Sequence, residues 1–462
     1  MRVSLRPYQV SALDGVRAAF ASGKRAPLLC SPTGSGKTVC FAHITEGAAR
    51  KDNRVLILVH RRELLLQCSR ALDELGVQHG LISPQFKHTT DAVQVASVQT
   101  LTRRLHREPE PALIVIDECH HATAGSWARI LAAYPRARLL GVTATPTRLD
   151  GRGLSDVFDA LILGPTVAEL IAGGYLARPV VYAPAVALPD KMKHTAGDFD
   201  AAAAAALLDK ATIYGDVLKH YRRLCDGKPA IAFCATVAHA HHVAEQFAAS
   251  GYRARALDGK TDDAARRQMV ADLGSGALNV LTSCEVVSEG TDIPAVYAAL
   301  LLRPTESTGL YLQQVGRCLR TYPGKDRAVI LDFVGNVLRH GLPDDDREWT
   351  LDGRKQGRVA DSEPAVQRMR TCMSCYAMNP VWRQTCEQCG AAFEARRAPP
   401  KETEGELVEI TEEQKEQMRR QARSEVARAR TREELTAVAK ARGYAPGWVH
   451  TMMKVRQRRV AS

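Results

Sequence analysis

The chain has 462 residues, 45% hydrophobic and 25% charged, with a net charge of +12 at neutral pH. That length exceeds what one hydrophobic core usually holds, so two or three domains are expected. No apolar run is long enough to span a membrane and no secretion signal is visible, so no membrane partner and a cytoplasmic location are expected.

The first chemistry-bearing segment is Ser31-Pro32-Thr33-Gly34-Ser35-Gly36-Lys37-Thr38. Its glycines let backbone N–H groups turn inward around a nucleotide's phosphates. Lys37 reaches the β/γ oxygens, and the Thr38 hydroxyl ligates Mg²⁺. Thr33, Gly34, Ser35 and Gly36 complete the cradle. The apolar run 26–30 precedes it as a strand, and residues 39–49 follow as a helix whose N-terminus faces the anion.

Further along, Leu113-Ile114-Val115-Ile116-Asp117-Glu118-Cys119-His120 reads as a buried parallel strand ending in carboxylates, where open α/β sheets place their chemistry. Asp117 would hold Mg²⁺, and Glu118 would orient and deprotonate an attacking water. Strands are predicted at 28–30, 55–59, 93–96, 113–116 and 139–142, a first unit ending near residue 165. A second set is predicted at 179–182, 231–233, 280–282, 298–302 and 328–333. Alternating strands and helices of this kind imply parallel sheets built of βαβ units. The second half has no phosphate loop. It carries Gln313-Gln314-Val315-Gly316-Arg317-Cys318-Leu319-Arg320 instead.

Of the 12 cysteines, eight are scattered singly, as in proteins with reduced cytosolic thiols, and four form Cys372-x₂-Cys375-x₁₀-Cys386-x₂-Cys389. Two such pairs can place four thiolates around Zn²⁺ in a small ribbon that folds only with its metal. Redox-active pairs and a four-iron cluster are the alternatives. Linkers are expected at 341–369 and from 396 to 416, and residues 201–206 as a low-complexity helical stretch. From Arg419 onward twelve Lys/Arg stand against three Glu, most of the net +12. Residues 419–442 read as one helix, with Tyr444 and Trp448 beyond it. The tail suits DNA binding, or it docks on the rest of the protein.

These segments, in this order, resemble superfamily 2 helicases and translocases. Leu5-Arg6-Pro7-Tyr8-Gln9 resembles their adenine-reading segment, with Gln9 offering a donor and an acceptor. Residues 58–64 resemble motif Ia, 96–100 motif Ic, and Asp117 to His120 a DEAH-like motif II with cysteine as third letter. Thr143-Ala144-Thr145-Pro146 resembles motif III, which couples hydrolysis to strand movement, with His120, Thr143 and Thr145 as coupling residues. Residues 230–234 resemble motif IV, Glu289-Gly290-Thr291-Asp292 motif V, and 313–320 motif VI. The short chain, the DECHH box and the cysteine module are most similar to RadD-type bacterial or phage DNA helicases.

The resemblance implies two tandem RecA-like P-loop domains at 1–165 and 166–340. A linker would follow at 341–369, a zinc ribbon at 370–395 and a basic helical tail at 396–462. ATP would lie between the domains, contacted by Gly290, Asp292 and Gln313, with Arg317 and Arg320 as arginine fingers. DNA, single-stranded or branched, would be bound without sequence preference by His60, Arg61, Gln99, Thr100, Thr236 and Thr282. The implied cofactors are ATP, Mg²⁺ and Zn²⁺. The implied protein is a nucleoid-associated monomer acting in DNA repair or recombination, with repair proteins as partners. Asp292 and Gln313 are only about twenty residues apart, too few for a long strand-separating hairpin, which favours translocation over processive unwinding. The alternatives are an RNA helicase and an ATP-switched DNA-binding scaffold. A restriction-enzyme motor is disfavoured, since no nuclease-like acid–acid–lysine cluster is evident outside these motifs.

Overall fold

The computed structural model describes residues 4–121, 125–148, 153–183, 194–195, 198–199, 211–284, 293–352, 369–371, 378–380, 385, 392, 408–409, 411–429, 431–442, 448–449 and 452–453. Among them no helix is long and apolar enough to cross a membrane. Two compact units emerge, Met1–Leu170 with Arg347–Gln356, and Ile171–Asp346 with Gly357–Ser462.

The first unit is built on a seven-stranded sheet. Its strands are β1 (Pro27–Cys30), β2 (Val55–Val59), β3 (Gly80–Ile82), β4 (Val93–Ser97), β5 (Leu113–Asp117), β6 (Arg138–Thr143) and β7 (Ala160–Leu163), in the order β3-β4-β2-β5-β6-β1-β7. Neighbouring strands pair in parallel. The unbroken apolar runs of β2 and β5 are what such a sheet needs, because helices cover both of its faces. Side chains alternate between those faces. Val55, Ile57 and Val115 pack with Leu13, Phe41 and Leu65 of α1 (Pro7–Ala21), α2 (Lys37–Ala49) and α3 (Arg62–Glu74). Leu56, Leu58 and Ile116 point the other way, to Leu101, Trp127 and Ile130 of α4 (Val98–Thr102) and α5 (Gly125–Ala133).

The expected linker at 341–369 begins as something else. Trp349 and Leu351 pack on the second of these cores, and the Leu351 carbonyl accepts from the N–H groups of Leu154 (2.7 Å) and Ser155 (3.0 Å). Two large apolar side chains in a charged stretch are enough to tie it down.

The second unit repeats the architecture. Following α6 (Val167–Ala172), β8 (Arg178–Ala183) leads to a short antiparallel pair, β9 (His194–Thr195) and β10 (Asp198–Phe199). Next come α7 (Ala211–Cys225), β11 (Ala230–Cys234), α8 (Val237–Ala249), β12 (Ala254–Leu257), α9 (Asp263–Ser275), β13 (Val280–Ser283), β14 (Ala298–Leu302), α10 (Thr308–Gly316), β15 (Arg327–Asp332) and α11 (Asn336–His340). The sheet order is β12-β13-β11-β14-β15-β8, parallel throughout. A last antiparallel edge strand, Val408–Glu409, pairs with β8, so part of the acidic stretch 396–416 belongs to this sheet.

The tail departs from the single helix expected over 419–442. It forms helices Glu412–Arg428 and Arg432–Arg442, broken where Thr431 caps the second. The Thr431 hydroxyl accepts from the Glu434 N–H (3.1 Å) and the Glu434 carboxylate accepts from the Thr431 N–H (3.0 Å), a reciprocal capping box. Trp448, placed by the sequence in a tail that either binds DNA or docks on the protein, is 5% exposed and packs with Leu435, Ala439 and Val449 in a small apolar core. Tyr444, residues 201–206 and the four paired cysteines lie outside the described residues.

Gly141 on β6 shows how closely the first unit is packed. A Cβ there would collide with the ring of Phe158 and sit 3.0 Å from the Cys119 sulfur, both fully enclosed. Gly141→Ala is expected to destabilise this unit by about 1–3 kcal/mol through overpacking. Calorimetry would show this as a lowered thermal midpoint, whereas a wild-type midpoint would contradict the packing.

Candidate nucleotide site

The carboxyl ends of β1, β6 and β5 lie side by side, with Cys30 opposite Thr143 and Asp117 opposite Val142. Three segments far apart in sequence are thereby brought together: the loop after β1, the DECH turn after β5 and the threonine turn after β6.

The loop is shaped by two left-handed glycines, Gly34 (φ +87°) and Gly36 (φ +81°). At Gly36 the requirement is double, since a Cβ would also lie 2.5 Å from the Gln9 amide nitrogen. The Ser31 and Ser35 hydroxyls bond at 2.7 Å and close the loop. Lys37, the first residue of α2, donates to the carbonyls of Ser31 (3.1 Å) and Pro32 (3.2 Å). Its ammonium also lowers the proton affinity of Asp117, which places it in the field of the buried carboxylate.

Gln9 is 4% exposed, and both ends of its amide meet the protein. Its oxygen accepts from the Arg6 N–H (2.9 Å) and its nitrogen donates to the Ser35 carbonyl (3.0 Å). One N–H and one lone pair remain for a base edge. Tyr8, not singled out by the sequence, donates its hydroxyl to the same Ser35 carbonyl at 3.0 Å. The segment expected to read adenine is thus fastened to the phosphate loop.

Asp117 is 4% exposed at the end of β5 and accepts from the Glu118 N–H at 3.0 Å. Burial first, and the neighbouring Glu118 charge second, raise its pKa above the usual carboxylate range. Glu118 itself has φ +49°, a left-handed conformation that costs a non-glycine residue about 1–2 kcal/mol. Two close carboxylates at a buried sheet edge, facing a lysine, fit a divalent cation and a polyphosphate. Asp117 and Thr38 would hold the Mg²⁺, which supplies positive charge to neutralise phosphate oxygens.

His120 joins the DECH turn to the threonine turn. Its Nδ1 lies 3.3 Å from the Thr143 hydroxyl and 3.5 Å from the Glu118 carboxylate. The Thr143 hydroxyl donates to the Thr145 carbonyl (3.0 Å) and accepts from the Thr145 N–H (3.2 Å), which leaves it able to accept from His120 in the tautomer protonated at Nδ1. Displacing either turn would alter the polar surroundings of Glu118.

The expected nucleic-acid contacts divide. His60, Arg61 and Gln99 gather at the adjoining ends of β2 and β4, where the Gln99 amide donates to the His60 carbonyl (3.4 Å). Thr100 faces inward at 8% exposure. Thr282 is completely buried and donates its hydroxyl to the Ala240 carbonyl at 2.6 Å, so its side chain cannot meet a phosphate. Thr236 accepts from the His239 N–H (3.1 Å) as the N-cap of α8.

In the second unit Gln313 lies on α10 at 4% exposure, and Arg317 follows as its C-cap at 8%. Burial lowers the pKa of Arg320 to about 10. The segment is held from the other side by the Ala177 N–H, which donates to the Leu319 carbonyl at 2.7 Å. Gly290 and Asp292 lie outside the described residues.

Residues 2–148 match the type III restriction enzyme res-subunit family, and residues 215–322 the helicase conserved C-terminal domain. A 51.5 kDa protein of a Lactococcus phage is 34% identical over 83% of this chain and 82% of its own length. The chain is a superfamily 2 helicase. It is also 32% identical, over 72% of its length, to the Saccharomyces cerevisiae protein named as ATP-dependent helicase IRC3, of which it spans about half (51%). Among solved structures, an HsdR fragment of a type I restriction enzyme from Vibrio vulnificus shares the fold, with a TM-score of 0.60 and 21% identity over 73% of this chain and 65% of that one. This helicase is therefore an ATP-hydrolysing enzyme that uses Mg²⁺.

Lys37→Ala is expected to abolish ATP turnover, and Glu118→Gln to abolish turnover while nucleotide stays bound. Lys37 would meet the phosphates, whereas Glu118 would act on water. Steady-state ATPase with a nucleotide-binding titration checks both, and substantial hydrolysis by either variant would remove that residue from its role.

Proposed function

We propose that this helicase is a DNA-stimulated ATPase that moves along single-stranded or branched DNA in repair or recombination, in the manner of RadD-type enzymes. The observation that carries this reading is the bridge from Glu118 through His120 to Thr143. It connects the residue that would activate water to the motif that resembles a coupling element. Arg317 and Arg320 would act as arginine fingers that stabilise charge on the γ-phosphate in the transition state, a contribution of roughly 10³ to 10⁵ in rate.

The DNA reading draws support from restriction-enzyme relatives. The chain is 24% identical to a type I restriction endonuclease subunit of Escherichia coli. The ATP-dependent Type ISP restriction-modification enzyme LlaBIII bound to DNA shares the fold with a TM-score of 0.52, and a Mycobacterium smegmatis Lhr helicase bound to single-stranded DNA with 0.51. His60, Arg61 and Gln99 offer the sequence-independent contacts such a motor uses.

A zinc ribbon completes the proposal. Met369–Thr371 and Met378–Pro380 pair antiparallel, and Thr385 bridges Ala392. Cys372 and Cys375 thus fall in sequence between one pair of antiparallel partners, and Cys386 and Cys389 between the other, the chain order of two knuckles. Elemental analysis should find one zinc per chain. Iron with sulfide, or no metal, would overturn the assignment.

ATPase rates with single-stranded, forked and duplex DNA and with RNA of equal length test the substrate. Stimulation by single-stranded or forked DNA above the others is expected, and preferential stimulation by RNA would favour the RNA-helicase reading. Arg317→Ala should lower turnover at least about a hundredfold with ATP binding retained, as when transition-state charge loses its partner. Near-normal turnover would make the arginine structural only.

A further inference from the structure

Lys325 lies just past the arginine segment and has no part in the phosphate chemistry above. Its Nζ donates to the carbonyls of Val296 (2.6 Å), Cys318 (2.6 Å) and Arg320 (2.7 Å), with Pro294 O at 3.4 Å. An ammonium has three N–H donors, so the three short bonds saturate it.

The local sequence delivers the side chain to that spot. Pro323-Gly324 occupies the centre of a turn in which Gly324 has φ +77° and the Lys325 N–H donates to the Tyr322 carbonyl at 3.0 Å, a type II turn. The turn folds Lys325 back beneath the end of α10. Carbonyls there have outrun the helix and need outside donors, and the helix dipole favours a cation. The groups that act on the ammonium are the Cys318 thiol, itself pushed up to about 11, and the Arg320 guanidinium. Burial pulls Lys325 down to about 8, so it remains mostly charged at pH 7.

We infer that Lys325 is a positioning residue for ATP hydrolysis: one partly buried ammonium fastens the backbone of the arginine segment, at Cys318 and Arg320, to the segment following Asp292, at Val296. Without it, Arg317 and Arg320 stay on the chain but lose the fixed backbone from which they reach a phosphate. This inference rests on the proposed role of Arg317.

The test is a double-mutant cycle on the full-length protein. kcat and KM for ATP are measured for wild type, Lys325→Met, Arg317→Ala and the double variant, with thermal melts to confirm folding. Lys325→Met is expected to lower kcat about tenfold or more with KM for ATP nearly unchanged, and to cost clearly less on the Arg317→Ala background, where only Arg320 is left to lose its position, because coupled residues are non-additive. Equal losses on both backgrounds, unchanged kcat in Lys325→Met, or a raised KM with kcat intact would overturn the inference. Near-normal turnover by Arg317→Ala would sink the arginine reading itself, and the inference with it. If Lys325→Met does not fold, Lys325→Gln enters the same cycle. Lys325→Arg, which keeps the charge, should then recover turnover, and an Arg variant as slow as the Gln variant would overturn the clamp.

Discussion

Asp117 is a carboxylate held at the buried rim of a parallel sheet, and its need for positive charge organises the first unit. Burial and the adjacent Glu118 both favour its protonated form, while Lys37 opposes them. A buried, imperfectly paired charge costs several kcal/mol. A divalent cation with a bound phosphate answers that cost, which explains why the glycine loop, Lys37 and Thr38 must converge on the same edge. The backbone carries a share of strain as well, in the left-handed turn at Glu118.

The central strands were legible because a sheet covered on both faces demands unbroken apolar runs. Val55-Leu56-Ile57-Leu58-Val59 and Leu113-Ile114-Val115-Ile116 can be little else. Edge strands gave a weaker signal. Residues 80–82 are too few and 254–257 are interrupted by Arg255, so neither reads as an apolar run, whereas Ala160–Leu163 is apolar throughout and was missed beside the turn residues that follow it, although it forms the half-exposed edge of the sheet. The tail was misread for a different reason. Its composition suggested one basic helix, while the Thr431-x-x-Glu434 capping signal, visible in the sequence, marked a break. Trp448 then became the core of a small helical cluster. Threonines were the hardest to place, since a hydroxyl serves a phosphate, a helix cap or a neighbouring carbonyl equally well. Thr282 proved to be the third case and Thr236 the second.

In the second unit backbone carbonyls set the constraint, rather than carboxylates. The segment after α10 leaves the helix with its carbonyls exposed to the interior. Lys325 gathers two of them together with one that follows Asp292. On the opposite side the Ala177 N–H holds Leu319. A guanidinium that must meet developing charge is effective only if its backbone does not yield. The two units therefore use opposite chemistry for one purpose: the first fixes negative charge to receive a cation, and the second fixes a cation to hold neutral backbone.

Whether hydrolysis becomes movement is the central claim, and displacement of streptavidin from end-biotinylated single-stranded DNA tests it most directly. Displacement that needs ATP, and that disappears with Glu118→Gln, is the predicted result. DNA-stimulated hydrolysis with no displacement from either end would show an ATP-switched binder rather than a motor, and would contradict the account.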